Sequence, residues 1–511
     1  MRKQTLLQLV IIFVCLPLIL YAGPHIRQES VSLKLEVAAD TLIKELEMSI
    51  PTLMQEANIP GLQIAVIREG KLLWHDAFGI KNTQTQEPVR TDTVFEAASL
   101  TKPFFAYLAL KMVERGELDL DKPLIECAPQ KYIENRYIRH SMDLEGFRSD
   151  WFRRITARMV LSHSSGLPHG GPRHPLPILF EPGSEYRYSA DGYMYLQRII
   201  EHKKDKALDE IMLTEVIVPL KMSNSSMVWQ DRYKEQSAVG HNVFGETTGK
   251  FRRRRYAHSA ASLYTTAEDY AKFVAAMLNS VGLKKKTLDL MLTPQIDVDD
   301  NIYWSLGFGI DRFAEGDAFW QWGDYGIFRN YIMAFKKQKI AVVYFTNSFN
   351  GLGIGPTLIG KAIGVDNIPG LKYLGYTRYD SPVSQLTQMV HRQGMEPAVA
   401  RYSELRKEDP ENFGEAAANS LGYALLNADK YDEAIVFFKL NMEAYPLSAN
   451  ACDSLAEAYM QSRNYEMAVK YYRKTLEMIP KDPRPDKEFL KNLKEGAQRN
   501  LTQLEKLKKT L

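Results

Sequence analysis

Residues 35–54 carry apolar side chains at helical spacing, with Leu42, Ile43 and Leu46 on one side, and Ile59, Pro60 and Gly61 end the pattern. Residues 62–68 and 71–78 are rich in strand formers and are joined at Glu69 and Gly70, which predicts a β-hairpin. Beyond Lys102, the residues Phe104, Phe105, Leu108 and Met112 recur at helical spacing, and Gly116 predicts the C-cap. Residues 130–300 read as mostly helical and loop-rich. Strand signals return at 318–321, 328–336 and 340–347. Strands at both ends with helices between them predict an antiparallel sheet flanked by helices, with a helical subdomain: an α+β domain over residues 30–368.

The pattern changes after residue 368. Residues 369–382, between two prolines, read as a linker. Over residues 383–511 two segments repeat at a spacing of 34. Leu421 and Gly422 match Leu455 and Ala456, Ala434 matches Ala468, Phe438 matches Tyr472, and Pro446 matches Pro480. Small residues let paired helices approach, an aromatic fills the space between repeats, and proline stops the second helix. These offsets resemble tetratricopeptide repeats and imply an all-α solenoid. Ala398, Tyr402 and Pro410 mark a weaker earlier unit, and residues 487–507 an amphipathic capping helix. Such a stack presents a concave face to a protein partner, or packs on the domain before it.

Composition narrows the class. A chain of 511 residues with 45% hydrophobic and 25% charged residues is that of a soluble, multi-domain globular protein. A net charge of +3 implies no nucleic-acid partner. Cys15, Cys127 and Cys452 lie far apart and show no metal, redox or disulfide spacing, and nothing in the sequence asks for a metal or cofactor. Arg2 and Lys3 precede an apolar run over residues 6–22, so residues 1–24 read as a secretory signal or, uncleaved, a membrane anchor. The expected location is exported, periplasmic or anchored facing the periplasm, with membrane contact only through that segment.

Chemistry concentrates at Ser99 and Lys102. At i and i+3 they share one helix face at a helix start, where backbone N–H groups and the positive dipole end lie close. A serine hydroxyl becomes a nucleophile when a base takes its proton, and a desolvated amine one turn away serves that role. Ser-x-x-Lys is the nucleophile motif of serine β-lactamases and penicillin-binding proteins; taken by itself the tetrapeptide reads first as a capping serine beside a solvated lysine, and the rest of the chain changes that.

Further marks follow in order: Ile59–Gly61 before the hairpin, residues 116–120, residues 161–168, Pro182 and Gly183 leading to Tyr188, residues 265–269, residues 306–309 and residues 342–347. With them, residues 35–365 resemble the serine β-lactamase/penicillin-binding-protein superfamily, nearest its class C β-lactamase, D-alanyl-D-alanine carboxypeptidase and carboxylesterase branch. The resemblance implies Ser99, Lys102 and Tyr188 as the catalytic set, with Tyr188 a phenolate base stabilised by a neighbouring ammonium. It implies an oxyanion hole made by the backbone N–H groups of Ser99 and Asp324.

Two positions depart from the family pattern. Ala190 stands where the Tyr-x-Asn motif has its asparagine, which removes a hydrogen bond to a substrate amide. Gln321, Trp322 and Gly323 stand where the family has Lys-Thr-Gly or His-x-Gly, so the cation that helps hold a substrate carboxylate is absent. Asp324 would repel an anion if it faced the site, and Arg329 is the candidate replacement cation. His163 reads as a fold marker, and the arginine run 252–255 as a solvated loop with a substrate anchor as the minor reading. No Glu-x-x-Leu-Asn segment follows Ser99, which argues against class A deacylation.

The expected function is an exported serine hydrolase acting through an acyl-enzyme on an ester, amide or peptide, with esterase or peptidase action favoured over β-lactamase. The alternatives are a β-lactamase or D-Ala-D-Ala carboxypeptidase proper, and a non-catalytic scaffold whose repeats bind a partner.

Overall fold

A computed structural model describes residues 31–134, 150–169, 178–249, 252–411 and 413–510. The expectations for residues 1–24 lie outside the described residues. Helix α1 (Ala39–Glu56) buries Leu42, Leu46 and Ile50. It leads into strands β1 (Gly61–Arg68) and β2 (Lys71–Asn82). Glu69 and Gly70 both take positive φ, 53° and 74°, the turn conformation that fits the twist of a two-residue hairpin. Two short pieces follow, β3 (Glu87–Pro88) and β4 (Phe95–Glu96), the latter paired with β5 (Tyr264–Thr265).

The sheet is completed by β6 (Ile296–Asp299), β7 (Ile302–Trp304), β8 (Gly309–Phe313), β9 (Gly316–Asp324), β10 (Arg329–Phe335) and β11 (Ile340–Thr346). Its order is β3-β2-β1-β11-β10-β9-β8-β7-β6, with antiparallel pairing throughout. The last strand therefore lies beside the first, Leu62 opposite Thr346, as expected for a sheet closed by both ends of its domain. Strands β6 to β8 carry too short a polar–apolar alternation to have been read from the pattern. One sheet face packs on α1 and the helix Gly355–Ile363, the other on the helical subdomain. At the centre of that second layer is α2 (Thr101–Glu114). Eleven of its fourteen residues are buried, so it is apolar on all sides rather than on one stripe.

Residues 369–382 are not a free linker. Pro369–Leu374 is a helix whose Gly370 N–H donates to Asp311, and the Tyr376 hydroxyl donates to Asp324 at 2.6 Å. The all-α region then pairs Pro382–Gln393 with Met395–Glu408, Glu415–Leu426 with Tyr431–Ala444, and Ala449–Gln461 with Tyr465–Met478, and ends in Lys487–Thr510. Gly422 is required by the close approach, since a Cβ there would stand 2.4 Å from the Phe438 ring. The first pair docks on the sheet domain. Phe244 stacks on His391 at 4.5 Å, Gln388 donates to the Val243 carbonyl, and Arg392 donates to Asn58.

Candidate active site

The nucleophile turn is over-determined. Ser99 sits in a 3₁₀ turn (Ala98–Leu100) at the head of α2. The turn is pinned by the Asn330 amide on the Glu96 carbonyl (2.9 Å), by Thr101 Oγ1 on the Ala98 carbonyl (2.7 Å) and by the Tyr270 hydroxyl on the Leu100 carbonyl (2.8 Å). Ala98 is held at φ 50°, a strained conformation for a residue with a Cβ and one found preferentially at functional sites. Gly323 lies directly beneath; a Cβ there would stand 2.2 Å from the Ala97 carbonyl oxygen. A glycine here permits the close packing of β9 on this turn.

Lys102 Nζ lies 3.1 Å from Ser99 Oγ and 3.0 Å from the Ala260 carbonyl, and the residue is 1% exposed. Burial with no carboxylate partner pushes its pKa down from 10.5 to about 7. Nζ also stands 4.5 Å over the Tyr188 ring. That contact, desolvated as it is, favours the ammonium by about 2 kcal/mol or more, and so offsets only part of the roughly 5 kcal/mol that a shift of this size represents. Near neutral pH the amine is therefore partly unprotonated.

Tyr188 behaves opposite to expectation. Its hydroxyl is hydrogen-bonded to Ser99 and accepts from Gln321 Nε2 at 2.9 Å, yet burial raises its pKa well above the ordinary phenol range. The ammonium that was to stabilise a phenolate lies over the ring face and is itself discouraged from carrying charge. Burial holds the phenol in its neutral form, with its hydroxyl joined to Ser99 and Gln321. His258 is no better as a base, since burial holds it down to about 3. Of these groups, the Lys102 amine has the basicity that proton abstraction near pH 7 requires.

Sequence reading missed what holds Tyr188. His163 is fully buried at φ 57°. Its carbonyl accepts from Arg187 N–H at 2.9 Å, and its ring Nδ1 accepts from Ser189 N–H at 3.0 Å. The residues on either side of Tyr188 are thus fastened to one histidine, whose ring also packs 4.3 Å from the phenol ring. Accepting at Nδ1 fixes the proton on Nε2, and burial keeps the imidazole neutral. The fold marker is a clamp, and its only sequence signal is its place in the 161–168 mark.

The remaining candidates divide by strand geometry. Gln321 is fully buried and faces Tyr188 and the Ser99 carbonyl. Trp322 points to the other layer, where its ring packs tilted against Tyr188 at 4.5 Å. Tyr325 N–H bonds to the Phe328 carbonyl, so antiparallel alternation turns the Trp322 and Asp324 N–H groups toward the opposite edge. There β8 begins only at Gly309, opposite Trp320, which leaves the end of β9 unpaired on that side. The Asp324 N–H is thereby directed to the edge where an oxyanion donor is needed. Its carboxylate does not threaten an anionic substrate, because it is taken up by Arg329 (3.2 Å), Gly326 N–H and the Tyr376 hydroxyl.

Arg329 is correspondingly not a spare cation. Its Nη1 donates to the Phe349 carbonyl at 2.5 Å, and the guanidinium lies between the Phe349 and Tyr376 rings. Ala190 begins the helix Asp191–Lys204 without a side-chain cap, a role taken by Ser189 Oγ toward Gly192 N–H. The arginine run is not a solvated loop throughout. Arg252 pairs with buried Glu96 (3.4 Å) and covers the Tyr325 ring, and Arg254 donates to the Tyr325 hydroxyl.

Residues 47–359 match the family model described as beta-lactamase. The chain belongs to the beta-lactamase family. Residues 451–485 match a tetratricopeptide-repeat model. Among curated relatives, the family member is 25% identical over 224 residues to penicillin-binding protein 4* of Bacillus subtilis (strain 168), covering 40% of this chain and 45% of that one. The chain spans about half the length of the curated relatives it matches. Its fold is shared by the octameric penicillin-binding protein homologue of Pyrococcus abyssi (TM-score 0.52, 21% identity, 69% of this chain and 82% of that one). It is also shared by the D-alanine carboxypeptidase AmpC of Burkholderia cenocepacia (TM-score 0.53, 18% identity, 63% and 99%). Sheet, helical subdomain and C-terminal repeats are thus those expected for a beta-lactamase-like serine hydrolase carrying tetratricopeptide units.

Proposed function

We propose that this family member is an exported serine hydrolase that acts through an acyl-enzyme on an ester, amide or small peptide bond. The observation that carries the reading is a buried amine, shifted to about 7, at 3.1 Å from Ser99 Oγ. Lys102 takes the Oγ proton as Oγ attacks the carbonyl carbon. The oxyanion forms against the Ser99 and Asp324 N–H groups. Collapse breaks the bond to the leaving group, which receives the proton from Lys102 through the Tyr188 hydroxyl. Water then adds to the acyl group by the same relay, and Ser99 is regenerated.

Esterase or peptidase action is favoured over β-lactam hydrolysis. Gln321 is neutral and Arg329 is engaged elsewhere, so neither supplies a cation for the carboxylate of a penicillin or a D-Ala-D-Ala peptide. The names of the carboxypeptidase and penicillin-binding relatives support the second reading, a carboxypeptidase or β-lactamase proper. The repeats, docked through the helix Pro382–Gln393, are read as a platform for a protein partner.

The test is labelling by a fluorophosphonate probe, followed by intact mass after incubation with activated esters, amides and penicillins. Labelling lost in Ser99→Ala supports hydrolysis, and ester adducts without penicillin adducts support the first reading. Equal labelling of both proteins refutes it.

A further inference from the structure

The end of the sheet remote from Ser99 collects two basic runs distant in sequence. Lys284, Lys285 and Lys286 lie at the start of the helix Lys285–Leu292, and Lys336, Lys337 and Lys339 lie in or beside the β10–β11 turn. Lys285, Lys336, Lys337 and Lys339 line a cavity of about 510 Å³ whose apolar lining includes Leu278, Leu292, Ile310 and Phe319, and Lys284 and Lys286 are exposed on either side of Lys285. Asp289 is shared by Lys285 (2.7 Å) and Lys336 (2.5 Å), and Asp317 lies 3.5 Å from Arg312. Among the described residues, Lys284, Lys286, Lys337 and Lys339 have no carboxylate within ion-pair distance. Val281, three residues before Lys284, exposes 53% of its surface.

The N-terminal segment enters at this same end. Val31 N–H donates to the Glu315 carboxylate at 3.1 Å, and Gln338, inside the second lysine run, donates to the Glu315 carbonyl at 2.6 Å. Only residues 23–30 separate Val31 from the apolar run 6–22. Eight residues reach about 28 Å at full extension, so a bilayer holding that run would lie close to the lysines.

We infer that this face docks on an anionic phospholipid bilayer. Lipid phosphates match four lysines that lack anionic partners, and Val281 with the apolar cavity suits the headgroup–acyl boundary. A net charge of only +3 over the chain gives no sign of the patch, in which Asp289 and Asp317 answer only part of the positive charge. Strand β9 runs from Gly316 at the patch to Asp324 at the site, roughly 26 Å at strand rise. Docking would therefore turn Ser99 away from the membrane.

The test is co-sedimentation of the full chain with neutral phosphatidylcholine vesicles and with vesicles containing phosphatidylglycerol. Affinity for the anionic vesicles is expected to be about tenfold higher or more at low salt, and the difference to vanish at high salt. K284E/K286E/K337E should lose that increment while retaining any binding to neutral vesicles and full probe labelling of Ser99. No increment in the wild type, or an increment surviving the triple substitution, overturns the inference. So does a change of oligomeric state by light scattering in the triple variant with vesicle binding unchanged, which would mark the face as a contact between copies.

Discussion

Lys102 Nζ sits 3.1 Å from Ser99 Oγ in a pocket that offers it no anion. Its reactivity comes from what surrounds it rather than from what it pairs with. Since the unprotonated amine is the working form, probe labelling of Ser99 should rise with pH in a one-proton step centred near 7. A rate flat from pH 5.5 to 9 would exclude the amine as the base.

The same shift has a sign for stability. The folded lysine titrates near 7 and the unfolded one near 10.4. Between those values the unfolded chain binds more protons, so this group makes stability rise with pH across that window. Lys102→Met should remove this contribution, worth about 5 kcal/mol across the whole window. Urea denaturation of both proteins at pH 6.5 and 9.5 measures it.

Amine and phenol should not be equivalent. Lys102→Ala should cost about a thousandfold or more in labelling rate, and Tyr188→Phe about ten- to a hundredfold, because it removes a relay and not the base. Equal losses in the two variants would return the base to Tyr188.

His163 acts through Tyr188. His163→Ala should slow labelling about tenfold or more while leaving the midpoint of the pH profile in place. His163→Asn, whose side-chain oxygen can accept from Ser189 N–H, should recover part of the rate. A displaced midpoint would mean that the imidazole itself titrates in the reaction.

Arg329 distinguishes tethering from recognition. Arg329→Met should slow reaction with neutral and anionic esters by the same factor, because the guanidinium serves Asp324 and Phe349. A loss confined to anionic esters would show that it binds the substrate carboxylate.

Elements set by local pattern were legible before any coordinates. The hairpin at Glu69 and Gly70, the helix after Ser99, the closing strands and the 34-residue offsets all depend on neighbours in sequence, where periodicity and turn chemistry act. Strands β6 to β8 escaped because two are only three and four residues long. The stretch 369–382 looked like a linker because its partners, Asp311 and Asp324, lie far back in the chain.

The motifs by themselves determined which residues could do chemistry: a serine and a lysine one turn apart, and a tyrosine that the family order singles out. Tertiary structure alone decided how those groups are charged and which of them are available. Burial made the lysine rather than the phenol the basic group, gave Arg329 and Asp324 to each other, and set His163 on both sides of Tyr188. Protonation and pairing depend on solvent access and on charges a few ångströms away, and those distances come into being only when remote segments pack together.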